Sequence, residues 1–139
     1  MVLQLHISTG SPTPIYRQIV NQVRHAVAAR ALKPGDRLPS VQALAEQLVI
    51  NPNTVAKAYG ELVRDGLIEA RQGRGYFVAD RRQIYSKAER LRRLEQAMET
   101  FLSEALVLDF THREITQALG KKLIHFQTGK DTRRGQTDG

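Results

Sequence analysis

From residue 51 the sequence reads Asn-Pro-Asn-Thr-Val-Ala-Lys. It opens a segment whose apolar residues Val55, Ala58, Tyr59, Leu62 and Val63 recur at helical spacing. Burying that stripe turns Asn53, Thr54, Lys57 and Arg64 outward or to the flanks. Asparagine and threonine are poor choices inside a helix, but their amide and hydroxyl groups suit base edges and phosphates. A helix capped by Asn51, with Pro52 in its first position, starts abruptly and offers free N–H groups and a positive dipole end to an anion. Capping alone explains Asn51 and Pro52 but needs neither Asn53 nor Thr54, which favours contact with DNA.

A second polar cluster is Arg71-Gln72-Gly73-Arg74-Gly75. It lies between the β-prone segments Leu67-Ile68 and Tyr76-Phe77-Val78, so it reads as the glycine-rich tip of a β-hairpin. Such a wing can enter a narrow minor groove, where negative potential attracts arginine. An exposed turn with solvated arginines explains the tip by itself equally well, and the neighbouring helix tips the balance toward DNA.

The elements that must hold these residues follow from the periodicity. Leu3, Leu5 and Ile7 alternate with polar residues, as in a short edge strand. Thr13 as cap and Pro14 as first residue predict a helix to about Ala31, with Ile15, Ile19, Val23, Ala26 and Val27 inward. Ser40 caps a short second helix that buries Val41, Leu44, Ala45 and Leu48, and Gly66 ends the third. A fourth helix is predicted over 81–108, and Thr111 and Glu114 form a capping box for a fifth reaching about His125. The expected fold is mainly α with a small β-hairpin: a winged helix-turn-helix over 1–80, a two-helix dimerisation region over 81–126, and a disordered tail over 127–139.

The chain has 139 residues, a formal net charge of +7 and no cysteine. Disulfides and thiolate chemistry are thereby excluded, and the basic balance favours a polyanionic partner. There is no apolar run of membrane-spanning length and no signal-peptide pattern at the start, so a cytoplasmic location and no membrane partner are expected. His6, His25, His112 and His125 have no metal-ligand spacing, and no P-loop, nucleophile elbow or framed carboxylate pair is present. Neither a metal, a cofactor nor an enzyme activity is expected.

In the fourth predicted helix, Leu91, Leu94, Met98, Phe101, Ala105 and Leu108 are spaced 3, 4, 3, 4 and 3 apart, a heptad seam. Its length points to a partner subunit together with Ile115, Ala118, Leu119 and Leu123 of the fifth helix; an intramolecular helical hairpin is the other reading. The start of the fourth helix carries Arg81, Arg82, Lys87, Arg90, Arg92 and Arg93, either a phosphate-contacting cluster or a solvated basic face.

The string LPS…LA…L…NPNTV…AY…L…GLI…G.G.FV, spread over residues 38–78, resembles the DNA-binding domain of GntR-family bacterial transcription regulators. The two-helix C-terminal part resembles the YtrA subfamily. The resemblance implies a homodimeric regulator, usually a repressor, that binds an inverted-repeat operator in double-stranded DNA, often controlling its own operon together with transporter genes. A small-molecule effector is compatible with it, and no residue identifies one. Position by position it points to Ser40 and Gln42, to Asn51, Asn53, Thr54 and Lys57, and to Gln72, Gly73 and Arg74. Where the family commonly has arginine and glutamate after LPSx, this chain has Gln42-Ala43. Arginine suits guanine and glutamine suits adenine, so an altered operator base or a weaker contact is expected there. A winged helix that binds a protein rather than specific DNA is the alternative.

Overall fold

The computed structural model describes residues 3–138, with side chains described as far as Phe126 apart from that of Gln83. The chain divides into two units, Met1–Arg81 and Arg82–Gly139.

In the first unit, α1 (Ile15–Ala28), α2 (Val41–Leu48) and α3 (Pro52–Arg64) precede an antiparallel hairpin of β1 (Ile68–Arg71) and β2 (Gly75–Val78). Ile68 pairs with Val78 and Arg71 with Gly75, which leaves Gln72, Gly73 and Arg74 as the loop. This is the expected winged helix-turn-helix. The apolar stripes predicted for the three helices meet in one core, where Ile19, Val23, Leu44, Val55, Ala58 and Leu62 are wholly enclosed.

The hairpin is tied to the helices by its backbone. Leu67 N–H donates to the Leu62 carbonyl at 3.0 Å, and Ala79 N–H to that of Leu67 at 3.0 Å. The segment before α2 adds a strand-like flank to β2, with Leu38 N–H donating to the Tyr76 carbonyl and Val78 N–H to that of Asp36.

Two N-terminal expectations are corrected. Leu3 and Leu5 are buried as the alternation requires, but 3–7 is not a strand. Side-chain amides of α1 take the place of a neighbouring strand: Gln22 exchanges two hydrogen bonds with the backbone of His6 (2.9 and 2.7 Å), and Gln18 does the same with Ser8 (both 2.9 Å). At the start of α1 the cap position is Pro14, not Thr13, and no side chain caps it. The Gln18 amide instead donates to the Thr13 carbonyl at 2.9 Å, so the entering chain is held from inside the helix.

After the wing, α4 (Arg81–Ile84) begins at the last residue of the first unit, and the second unit holds α5 (Lys87–Val107) and α6 (His112–Asp138). The single helix expected over 81–108 is broken because Ser86 is extended and caps α5, its hydroxyl accepting from Glu89 N–H at 3.1 Å. The capping box forms as expected: Thr111 Oγ1 accepts from Glu114 N–H at 3.1 Å, and Glu114 Oε2 from Thr111 N–H at 2.9 Å. The backbone helix then passes the expected end near His125 and reaches Asp138. The expectation of disorder over 127–139 falls on residues whose side chains lie outside those described. No residue of α5 is buried, and among the described residues α5 and α6 do not pack along one another.

Candidate nucleic-acid interface

Helices α2 and α3 form the helix-turn-helix, and each is opened by a side-chain cap. Ser40 Oγ accepts from Ala43 N–H at 3.0 Å, and Asn51 Oδ1 accepts from Asn53 N–H at 2.8 Å. Those bonds occupy the cap oxygens and fix the first turns. With Pro52 in the first helical position, Asn53 is left exposed and Thr54 half-buried at the tip of α3. Gln42 is the second residue of α2 and is exposed; the loss of a family-like glutamate at Ala43 leaves Ser40 as a one-way cap.

The turn between the two helices brings Gln42 and Asn51 to one shallow groove, shared with Glu46 and Val49. Val49 reverses the chain with φ 55° and ψ 53°, a left-handed conformation that is rare and strained for a β-branched residue. Its side chain is 88% exposed, so packing does not offset the strain.

Tyr59 joins α3 to the rest of the domain. Its hydroxyl donates to the Pro39 carbonyl ahead of α2 at 2.8 Å, and its ring meets Tyr76 of β2 edge-on at 4.9 Å. Burial pushes the Tyr59 phenol well above the usual tyrosine range, so it stays a neutral donor. One side chain thus sets α3 against both α2 and the wing.

Gln72, Gly73 and Arg74 are all exposed at the wing tip. Gly73 has φ 75°, a left-handed backbone that lets Arg74 N–H turn back to the Arg71 carbonyl at 2.9 Å. Gly75 has φ 107°, a backbone conformation that residues with a side chain rarely adopt, while a β-carbon there would only touch the Arg37 guanidinium at an ordinary 3.5 Å. Arg71 is turned back on its own strand, paired with Glu69 at 2.6 Å and stacked over Phe77 at 4.2 Å. Of the two tip arginines, Arg74 is therefore the one free to reach a ligand.

Lys57 is exposed on α3, its ammonium 4.0 Å from the centre of the Tyr16 ring on α1. Periodicity and motif matching single out neither Arg37 nor Tyr16. Both reach this surface through contacts between residues far apart in the chain, for which a local pattern carries no signal.

In the basic stretch after the wing, Glu89 binds Arg92 at 2.8 Å and Arg93 at 3.1 Å, which neutralises part of the cluster. The paired guanidiniums, Arg92 first, hold the Glu89 carboxyl down at about 2. Among the described residues no group of histidines and carboxylates could hold a metal ion, and no helix is long and apolar enough to cross a membrane.

The profile of the bacterial regulatory proteins of the gntR family matches residues 15–78, from the start of α1 to the end of the wing. An uncharacterised HTH-type regulator of Bacillus subtilis, YhcF, is 36% identical over 110 residues, which cover 78% of this chain and 89% of that protein. This chain belongs to the GntR family. It is also 47% identical to the transcriptional repressor YtrA of B. subtilis over 76 residues, 55% of this chain and 58% of that protein. The match thus spans little more than half the length of that repressor. The solved structure of YtrA from Sulfolobus acidocaldarius, described as a GntR-family transcription factor, superposes with a TM-score of 0.60 at 33% identity, over 87% of this chain and 97% of that one. These likenesses support the YtrA subfamily. The DNA-binding domain of AraR, solved in complex with operator ORX1, matches at a TM-score of 0.50 and 28% identity, covering 55% of this chain and 98% of that one. The relatives are named as transcriptional regulators, and the reading of this GntR-family chain as a regulator rather than an enzyme stands on that membership.

Proposed function

We propose that this GntR-family chain is a cytoplasmic, homodimeric repressor that recognises an inverted-repeat operator in double-stranded DNA. The observation that carries the reading is the tip of α3. Asn51 and Pro52 start the helix sharply, and Asn53 stands exposed beside the half-buried Thr54, polar groups whose placement adds nothing to the core. The AraR domain bound to its operator supports DNA as the partner of this fold. In this reading α3 enters the major groove, where Asn53 and Thr54 meet base edges and Lys57 a phosphate. Ser40, Gln42 and Asn51 flank it, and the Gln72-Gly73-Arg74 tip grips the minor groove or the adjacent backbone.

The dimer rests on α5. Leu91, Leu94, Met98 and Phe101 of the seam are 53%, 54%, 45% and 41% exposed, Ala105 is half-buried, and Leu108 lies at the helix end. A helix that buries none of its residues is marginal in water, so a second copy covering that seam accounts for it. Two-fold symmetry would present two recognition helices to two half-sites, about 34 Å apart per helical turn of DNA. Repression follows from occlusion of the promoter, in the first instance that of the regulator's own operon and its transporter genes. A small-molecule effector would act by changing the spacing of the two α3 helices.

Selection of duplexes from a random pool, followed by competition between the selected and a scrambled sequence, tests the reading. A selected palindrome bound at least about a thousand-fold more tightly than the scrambled duplex is expected. Equal, weak binding to both would overturn it in favour of a protein-interaction module.

A further inference from the structure

One flank of α3 is tied to α1 by residues four apart, Lys57, Glu61 and Asp65. Glu61 takes both guanidinium nitrogens of Arg17, at 2.7 and 2.9 Å, and Asp65 pairs with Arg24. At those two positions the acid comes from α3 or, for Asp65, from its C-terminal cap, the cation lies on α1, and the charges cancel. At the first position, nearest the tip of α3, the pattern changes. Lys57 brings the cation from α3, and what meets it on α1 is the face of Tyr16, 4.0 Å from the ammonium. Among the described residues no carboxylate pairs with Lys57. Tyr16 itself is half-buried and packs against the core, and the Arg17 guanidinium lies 5.2 Å from the centre of the same ring.

The difference has a physical consequence. A carboxylate would hold the lysine but neutralise it. An aromatic face attracts the ammonium through its quadrupole and restricts a flexible side chain while leaving the full positive charge in place. We propose that Tyr16 is a positioning residue for DNA binding: its ring holds Lys57 of the recognition helix, charged and pre-aligned, for a phosphate. This rests on the reading of α3 as the DNA-reading helix. It gives α1 a part in recognition beyond its part in the core.

The test is a double-mutant cycle on the full chain, using the selected palindromic duplex and a series of salt concentrations, with thermal unfolding of every variant. Lys57→Ala should weaken binding and lower the salt slope by about one for each half-site. Tyr16→Leu should weaken binding about three-fold with the salt slope kept, because the charge remains but is no longer held. Tyr16→Phe should bind as the unchanged chain does, and Tyr16→Leu with Lys57→Ala should bind no worse than Lys57→Ala alone. Additive losses in the double variant would overturn the proposal, as would Tyr16→Phe losing as much as Tyr16→Leu. Should Tyr16→Leu fail to fold, proton NMR of the unchanged chain decides: the Lys57 ε-methylene must be shifted upfield by the ring, and an unshifted signal overturns the contact. Additive losses against a duplex still bound specifically would sink this inference alone, whereas a chain with no preference for any duplex would remove the reading beneath it as well.

Discussion

In the proposed reading, Asn53 is the residue on which recognition turns most directly. It is exposed, and among the described residues no hydrogen bond engages its side-chain amide, which leaves that group available to a base. Asn53→Ala should lose about 1–3 kcal/mol of discrimination between the selected palindrome and a single-base variant. Unfolding free energy should stay within about 0.5 kcal/mol, as at other surface positions. Thr54→Ala should behave alike, and unchanged discrimination in both would mean that α3 is not the reader. Arg74 is expected to act differently because it sits on a glycine-supported loop with its charge free. Arg74→Ala should weaken selected and scrambled duplexes to a similar extent, with the salt slope lower by about one for each phosphate that the guanidinium neutralises. A loss confined to the selected duplex would show instead that the wing reads bases.

At the scale of elements, the turn of the helix-turn-helix carries strain that the core does not require. Val49 adopts φ 55° with its side chain 88% exposed, so nothing is gained from the isopropyl group to offset the conformation. Val49→Gly should therefore stabilise the winged domain by about 1 kcal/mol despite glycine's greater freedom in the unfolded chain. Denaturant unfolding measures this, and a destabilised variant would show that the side chain contributes to packing in the folded protein. The start of α5 offers a second element-level test. Glu89 is held down from 4.5 to about 2, first by its bond to Arg92. A carboxyl depressed on folding contributes stability above its unfolded value, and that contribution fades as pH falls from about 4.5 toward 2. Glu89→Gln should thus lower the helix content of α5 at neutral pH, by circular dichroism, and the difference from the unchanged chain should close as pH approaches 2. A difference that persists there would point to the backbone at Ser86 rather than to the ion pairs.

For the whole molecule, the excess of seven positive charges and the open seam of α5 bear on assembly and affinity together. Joining two DNA-reading domains makes binding at the second half-site intramolecular and raises affinity with no further interaction required. Leu94→Glu, with a charge in the seam and outside the winged domain, should give a monomer by sedimentation and a melting temperature independent of protein concentration. Affinity for the palindrome should fall about a hundred-fold, while affinity for one half-site stays unchanged. A Leu94→Glu chain that remains dimeric would place the interface elsewhere.

The local sequence was enough to place α1, α2, α3, the wing and the start of α6. Helical and strand periods, the caps at Ser40, Asn51 and Thr111, and the glycines at 66 and 73 are signals a few residues long, and the folded chain uses each one. Ser86 is a cap that periodicity hides: it is extended, and its hydroxyl takes the N–H of Glu89 that a carbonyl would take in a continued helix, so the helix expected over 81–108 is divided there. Only the tertiary structure decided that His6 and Ser8 are held by the amides of Gln22 and Gln18, that the flank before α2 joins β2, and that Arg71 folds back on Phe77 while Arg74 stays free. It alone also decided that Tyr16 lies under Lys57. Those contacts join residues ten to about forty apart or depend on where a side chain turns once the hairpin has closed. A repeating pattern along one chain fixes which face of an element is buried, but not which side chain of another element comes to lie against it.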